Sequence, residues 1–166
     1  MSSDINTESE RPSRKDIEIT VNGDTVSTDV EPRLKLSDFL RREGFKSVRV
    51  GCEHGACGAC TVLVNGELTK SCLSYAVQAD EAEIETAEGL ATDGDLHPIQ
   101  EAFHEKGALQ CGFCTSGFMM ATKALLEAEP DPDDSDIERA LSGNLCRCTG
   151  YESIYRAVHE AAENTE

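Results

Sequence analysis

Eight cysteines dominate the chemistry available to this 166-residue chain, and they fall into two sets of four. Cys52, Cys57, Cys60 and Cys72 are spaced C-x4-C-x2-C-x11-C. Three thiolates so close in sequence can converge on one compact metal centre, and the first three match the spacing of plant-type 2Fe–2S ferredoxins. Gly51, Gly55 and Gly58 lie among them. They let the backbone wrap tightly, and N–H groups exposed by the wrapping can bond cluster sulfurs and raise the potential. The competing assignment is a structural zinc site, also built from four cysteines. Zinc motifs usually repeat the C-x2-C knuckle, and this set has one.

The second set is Cys111-x2-Cys114 and Cys146-x-Cys148, one pair before each of two helix starts. Helix N-termini direct free N–H groups and a positive dipole end outward, which favours an anionic four-thiolate cluster. Zinc or inert core cysteines are the alternatives here, although Cys-x-Cys is uncommon as a zinc knuckle. Cys52-x-His54 has half of a Rieske pattern, but Leu63 stands where the second His is needed, so that centre is excluded. His54 is expected to face solvent from its loop, and His104 and His159 to lie on helix surfaces.

Fifteen Lys and Arg against 32 Asp and Glu give a net charge of −17. That field repels phosphates and anionic lipid, so neither nucleic acid nor a membrane surface is an expected partner. A heavily solvated acidic surface, suited to high salt, is expected ahead of a basic partner protein. No run of 18 apolar residues exists to span a membrane. Met1 to Lys15 is polar, without the apolar stretch of a signal peptide. A cytoplasmic location is expected, where cysteines read as metal ligands more readily than as disulfides.

The elements that must position the cysteines follow from periodicity. Residues 1–15 read as a disordered tail. Alternation at Ile17, Ile19 and Val21, then Asn22-Gly23 and a run to Val30, predicts a hairpin, and Asn65-Gly66 predicts a second. Leu36, Phe39 and Leu40 predict a helix ended by Gly44, and Ile84 to Thr86 a last short strand. Beyond Gly89 the period becomes helical. His97-Pro98 opens one helix, and residues 118–128 form another, broken by Glu129-Pro130. Ser135-x-x-Glu138 and Thr149-x-x-Glu152 read as capping boxes opening two more. The chain is therefore expected to divide into a strand-rich unit at 16–90 and a helical unit at 91–166. Hydrophobic residues make up only 39% of the chain and Trp is absent, so each small core calls for a staple such as a bound metal.

Gly51-Cys-Glu-His-Gly-Ala-Cys-Gly-Ala-Cys60, Gln110-Cys-Gly-Phe-Cys114 and Gly143-Asn-Leu-Cys-Arg-Cys-Thr-Gly-Tyr151 together resemble the iron–sulfur subunit of the molybdenum hydroxylases. That is the family of xanthine oxidase and aerobic carbon monoxide dehydrogenase, whose small subunit the chain resembles. The similarity runs from about Ile17 to Ala161. One departure is Ser116, where the family usually has Pro. The resemblance implies an α+β fold: a β-grasp 2Fe–2S ferredoxin-like domain followed by a four-helix 2Fe–2S-binding domain. It implies that Cys111, Cys114, Cys146 and Cys148 hold the cluster nearer a molybdopterin cofactor in a large subunit. Cys52, Cys57, Cys60 and Cys72 would hold the outer cluster, nearer FAD in a medium subunit. The positions of Gln110 and Cys148 approach the pterin in relatives, and Arg147 is a candidate for partner contact or cluster tuning. No substrate site and no dinucleotide loop is expected on this chain.

The function so implied is electron transfer within a molybdenum hydroxylase, possible substrates of the complex being carbon monoxide, an aldehyde, a purine or another heterocycle. A free-standing ferredoxin-like carrier is the first rival, and the helical half argues against it. A zinc-stabilised interaction module without redox function is the second.

Overall fold

The structure is a computed structural model that describes residues 13–165. The bulk of the tail expected at 1–15 lies outside the described residues. Its end is corrected: Lys15 opens the first strand, and Arg14 already pairs with Asp29 on the strand opposite.

β1 (Lys15–Val21) and β2 (Asp24–Val30) form the first hairpin, with Val21 opposite Asp24. Asn22 and Gly23 both adopt positive φ, 51° and 88°, as a two-residue turn matched to strand twist demands. β3 (Thr61–Val64) and β4 (Glu67–Lys70) repeat the device around Asn65-Gly66. β5 (Glu83–Glu85) runs parallel to β1 and antiparallel to β3, so the sheet order is β2-β1-β5-β3-β4. Ile17, Ile19 and Val21 point to one face because side chains alternate along a strand. That face is covered by α1 (Leu36–Arg42), through Leu36, Phe39 and Leu40. Burying each such side chain contributes about 1.5–3 kcal/mol. A sheet grasping one helix in this order is a β-grasp unit. The cysteine loop leaves α1 after Gly44, whose φ of 109° turns the chain out of the helix.

A 3₁₀ turn at Ala87–Leu90 leads out of the sheet. Four helices follow: α2 (Pro98–Glu105), α3 (Thr115–Ala128), α4 (Asp134–Leu141) and α5 (Glu152–Asn164). Ile99, Phe103, Phe118, Ile137, Ile154 and Val158 meet in a second core, separate from that of the sheet. A third, small cluster joins the two units: Leu63 of β3 and Leu90 pack on Met120 of α3. Among the described residues no helix is long and apolar enough to cross a membrane.

Both expected capping boxes are displaced. α4 is capped by Asp133, whose carboxylate accepts from the N–H groups of Ser135 and Asp136 at 2.9 Å, so Ser135 lies inside the helix. An Asp two positions earlier caps as well as Ser, and its charge also complements the positive end of the helix. α5 begins after Tyr151, not at Thr149. The Thr149 hydroxyl donates to the Cys146 sulfur and its oxygen accepts the Tyr151 N–H, one residue before the helix.

Candidate metal centres

The first four cysteines meet at one end of the sheet. Cys60 and Cys72 are buried at the edge of the sheet core, and Cys52 and Cys57 are half-buried in the loop. Within the set the thiols stand as two pairs. Cys52 and Cys57 are in hydrogen-bonding reach of each other, and the Cys57 N–H lies 3.4 Å from the Cys52 sulfur. Cys60 and Cys72 form the other pair. N–H groups of the loop lower the Cys52 thiol to about 6, that of His54 most and that of Cys57 next. Burial and the neighbouring Cys60 push Cys72 up. His54 is exposed, its Nδ1 2.6 Å from the Cys52 carbonyl oxygen.

The second four meet where α3 and α5 begin. Cys111 and Cys148 place their sulfurs 3.7 Å apart, and Cys114 pairs with Cys146. Burial, then Cys146, pushes the Cys114 thiol up to about 12. Burial also raises Cys146, but the hydroxyl and N–H of Thr149, donating at 3.1 and 3.4 Å, outweigh it and the net shift is downward. Cys111 and Cys148 are exposed, as is Gln110, whose Nε2 donates to the Cys148 carbonyl at 3.2 Å. Arg147 is exposed between its neighbours. His104 is exposed on α2, and the half-exposed His159 meets Asp134 at 2.8 Å.

A sulfur–sulfur separation near 3.7 Å is the edge of a tetrahedron with metal–sulfur bonds of about 2.3 Å. Among the described residues no three His, Cys, Asp or Glu side chains gather tightly enough for a single ion. With Cys114 beside Cys146, the second set offers two thiol pairs, a donor arrangement that fits two tetrahedral metals sharing a bridge.

Four residues of this region, Tyr151, Asn144, Lys70 and Phe113, are given no role by motif reading. Tyr151, held at φ 72°, accepts the Cys146 N–H through its hydroxyl at 3.0 Å and packs edge-on to Phe118. Asn144 is buried, and Lys70 reaches it from β4. Phe113 lies against Gly51, between the two sets. Ser116, where Pro is usual, donates its hydroxyl to the Ser47 carbonyl at 2.6 Å and so ties α3 to the strand-rich unit.

Residues 19–91 match the family described as 2Fe-2S iron-sulfur cluster binding domain, and residues 86–159 the 2Fe-2S binding domain family. The β subunit of the 6-hydroxypseudooxynicotine dehydrogenase complex of Paenarthrobacter nicotinovorans is 53% identical over 145 residues, 86% of this chain and 91% of that one. The xanthine dehydrogenase iron-sulfur-binding subunit of Escherichia coli O157:H7 is 48% identical over 145 residues, with the same coverage of 86% and 91%. Among solved structures, quinoline 2-oxidoreductase from Pseudomonas putida 86 superposes with a TM-score of 0.88 at 43% identity, over 90% of this chain and 94% of that one. Fold and thiols thus define an iron–sulfur protein with two 2Fe–2S-binding domains. The chain belongs to the iron–sulfur small subunits of the molybdenum hydroxylase, or xanthine oxidase, family.

Proposed function

We propose that this chain is the electron conduit of a three-part molybdenum hydroxylase. Cys52, Cys57, Cys60 and Cys72 hold one 2Fe–2S cluster within the unit at 16–90. Cys111, Cys114, Cys146 and Cys148 hold the second within the unit at 91–166. When bound, each cluster takes up and passes on one electron at a time. Hydroxylation of a substrate R–H by water gives R–OH, two protons and two electrons. Cys111, Cys114, Cys146 and Cys148 would hold the cluster nearer a molybdopterin centre on a large partner subunit, and Cys52, Cys57, Cys60 and Cys72 the one nearer FAD on a medium partner subunit, so that the chain would carry these electrons from one partner to the other. Gln110 and Cys148 border the molybdopterin side. The observation that carries the reading is the gathering of the eight thiols into two sets of four, one against each core, with the Cys111 and Cys148 sulfurs 3.7 Å apart. The exposure of Cys111 and Cys148 supports the second set as the one facing the large subunit. Relatives named for 6-hydroxypseudooxynicotine, xanthine and quinoline support a nitrogen heteroaromatic as the substrate class. The chain works in the cytoplasm.

Mild purification of the native assembly tests this. The small chain should co-elute with a large and a medium chain, with molybdenum, flavin and about four iron and four acid-labile sulfide per small chain. Reduction of the assembly by a panel of heterocycles, aldehydes and carbon monoxide then reads the substrate class. A red-brown monomer without partners would overturn the assembly in favour of a free carrier. A colourless zinc protein would overturn the clusters.

A further inference from the structure

The two cysteine sets belong to separate cores, yet their loops meet, and at one junction a buried side chain locks them together. Asn144 stands two residues before Cys146 and is 3% exposed. Its Nδ2 donates to the Gly58 carbonyl, 3.0 Å away, in the loop between Cys57 and Cys60. Its Oδ1 receives the Lys70 ammonium at 3.3 Å, and the same ammonium donates to the Gly143 carbonyl at 2.9 Å. The backbones have no slack at this point. A Cβ on Gly58 would come 2.5 Å from the Gly143 oxygen, and one on Gly117, in the first turn of α3, would come 2.2 Å from the Gly58 oxygen. The Leu145 N–H completes the contact by donating to the Cys57 carbonyl at 2.9 Å. A buried amide with both ends used is costly to leave unpaired, so such a strut selects one arrangement of the parts it joins.

We infer that Asn144, seated between Gly58 and Gly117 and braced by Lys70, is a positioning residue that fixes the separation of the two clusters. The inference rests on the ligand sets proposed above. Its function is kinetic. One electron leaves the reduced second cluster and enters the oxidised first, no bond is made or broken, and the rate falls exponentially with the gap. A joint between the two ligand loops holds the gap constant while the outer faces of the two units dock to different partner subunits.

The dipolar interaction between two reduced clusters varies as the inverse cube of their separation, so it reads the joint directly. In the assembled complex, Asn144→Ala and Gly117→Ala should each keep full iron content and the separate EPR signature of each cluster. Pulsed EPR after dithionite reduction should show a smaller and more broadly distributed splitting between them. The first cluster should be reduced by substrate several-fold more slowly, with the second reduced as in wild type. Unaltered splitting in both variants would overturn the inference alone. Loss of one cluster with the other retained would overturn it too, leaving Asn144 as a structural part of a single site. Wild-type protein carrying zinc instead of iron would overturn the ligand sets and this inference with them.

Discussion

The sulfurs of Cys111 and Cys148 lie 3.7 Å apart although 37 positions separate the residues. The fold of the helical unit brings them together: Cys114 and Cys146 pack on its core, whereas Cys60 and Cys72 belong to the core of the sheet. Each set is thus supported by its own packing.

Replacing Cys57 with Ser should therefore damage one cluster only. The Leu145 contact uses the Cys57 carbonyl, which the substitution keeps. EPR of the reduced variant should lose the signal of the first cluster and retain that of the second, with iron falling from about four per chain towards two. Joint loss of both signals would mean that the units load only as one body.

How much of this was legible beforehand depended on whether a local pattern had a competitor. Asn22-Gly23 and Asn65-Gly66 were read correctly because only residues tolerant of positive φ can make that turn, and nothing distant alters the requirement. Thr149-x-x-Glu152 reads as a helix start, but α5 begins two residues later: the Thr149 oxygen accepts the Tyr151 N–H at 3.2 Å while its hydroxyl donates to Cys146, a partner only the folded loop supplies. At α4 the cap is Asp133, two residues before Ser135. The cysteine spacings grouped the thiols in fours, but which thiol pairs with which depends on how the loops cross. Asn144 was visible only as a letter within a motif, because its partners Gly58 and Lys70 come from another unit.

Thr149 donates both its hydroxyl and its N–H to the Cys146 sulfur. Hydrogen bonds to a cluster sulfur favour the more negative, reduced state. Thr149→Val removes the hydroxyl and keeps the shape and the N–H. The second cluster's potential should fall by some tens of mV, given that a bond to a charged group is worth about 1.5–3 kcal/mol in total and only part of it differs between redox states. A redox titration followed by EPR measures this, with the first cluster as internal reference. An unchanged potential would show that the hydroxyl does not act on the cluster.

Asp133 is held below the usual carboxylate range by the N–H groups of Asp136 and Ser135 at the start of α4. A depressed folded value means that the ionised form favours the folded chain. This stabilisation is complete above the unfolded value of about 3.9 and is lost as pH falls through the lower folded value. Asp133→Asn keeps a capable N-cap but cannot titrate. Thermal unfolding followed by circular dichroism from pH 7 down to about 3 should fall less steeply for the variant at the acid end. Parallel curves would assign the acid sensitivity to other groups.

The charge of −17 predicts a salt response of opposite origin. Self-repulsion strains the compact state at low ionic strength, and 1 M salt shortens the Debye length to about 3 Å. The melting temperature at pH 7 should rise on going from about 0.1 to 1 M NaCl. A flat response would count against an acidic surface adapted to salt.

Gln110 tests the face proposed to meet the large subunit. It precedes Cys111 and its Nε2 already donates to the Cys148 carbonyl, so one N–H of the amide tethers the side chain to the backbone of a ligand in the same set. The Oε1 and the second N–H remain to meet a pterin edge, which carries matching donors and acceptors. Gln110→Ala removes both the tether and the outward contact, and two measurements separate them. If the tether alone matters, the potential of the second cluster shifts in the isolated small subunit and substrate reduction slows only in proportion. If the contact matters, the potential stays put, while reduction of that cluster by substrate in the complex slows roughly ten- to a hundredfold, the equivalent of about 1–3 kcal/mol for a buried bond left unpaired. The second result is expected. Stopped-flow reduction at the wild-type rate, with assembly intact, would leave Gln110 a structural residue of its own loop.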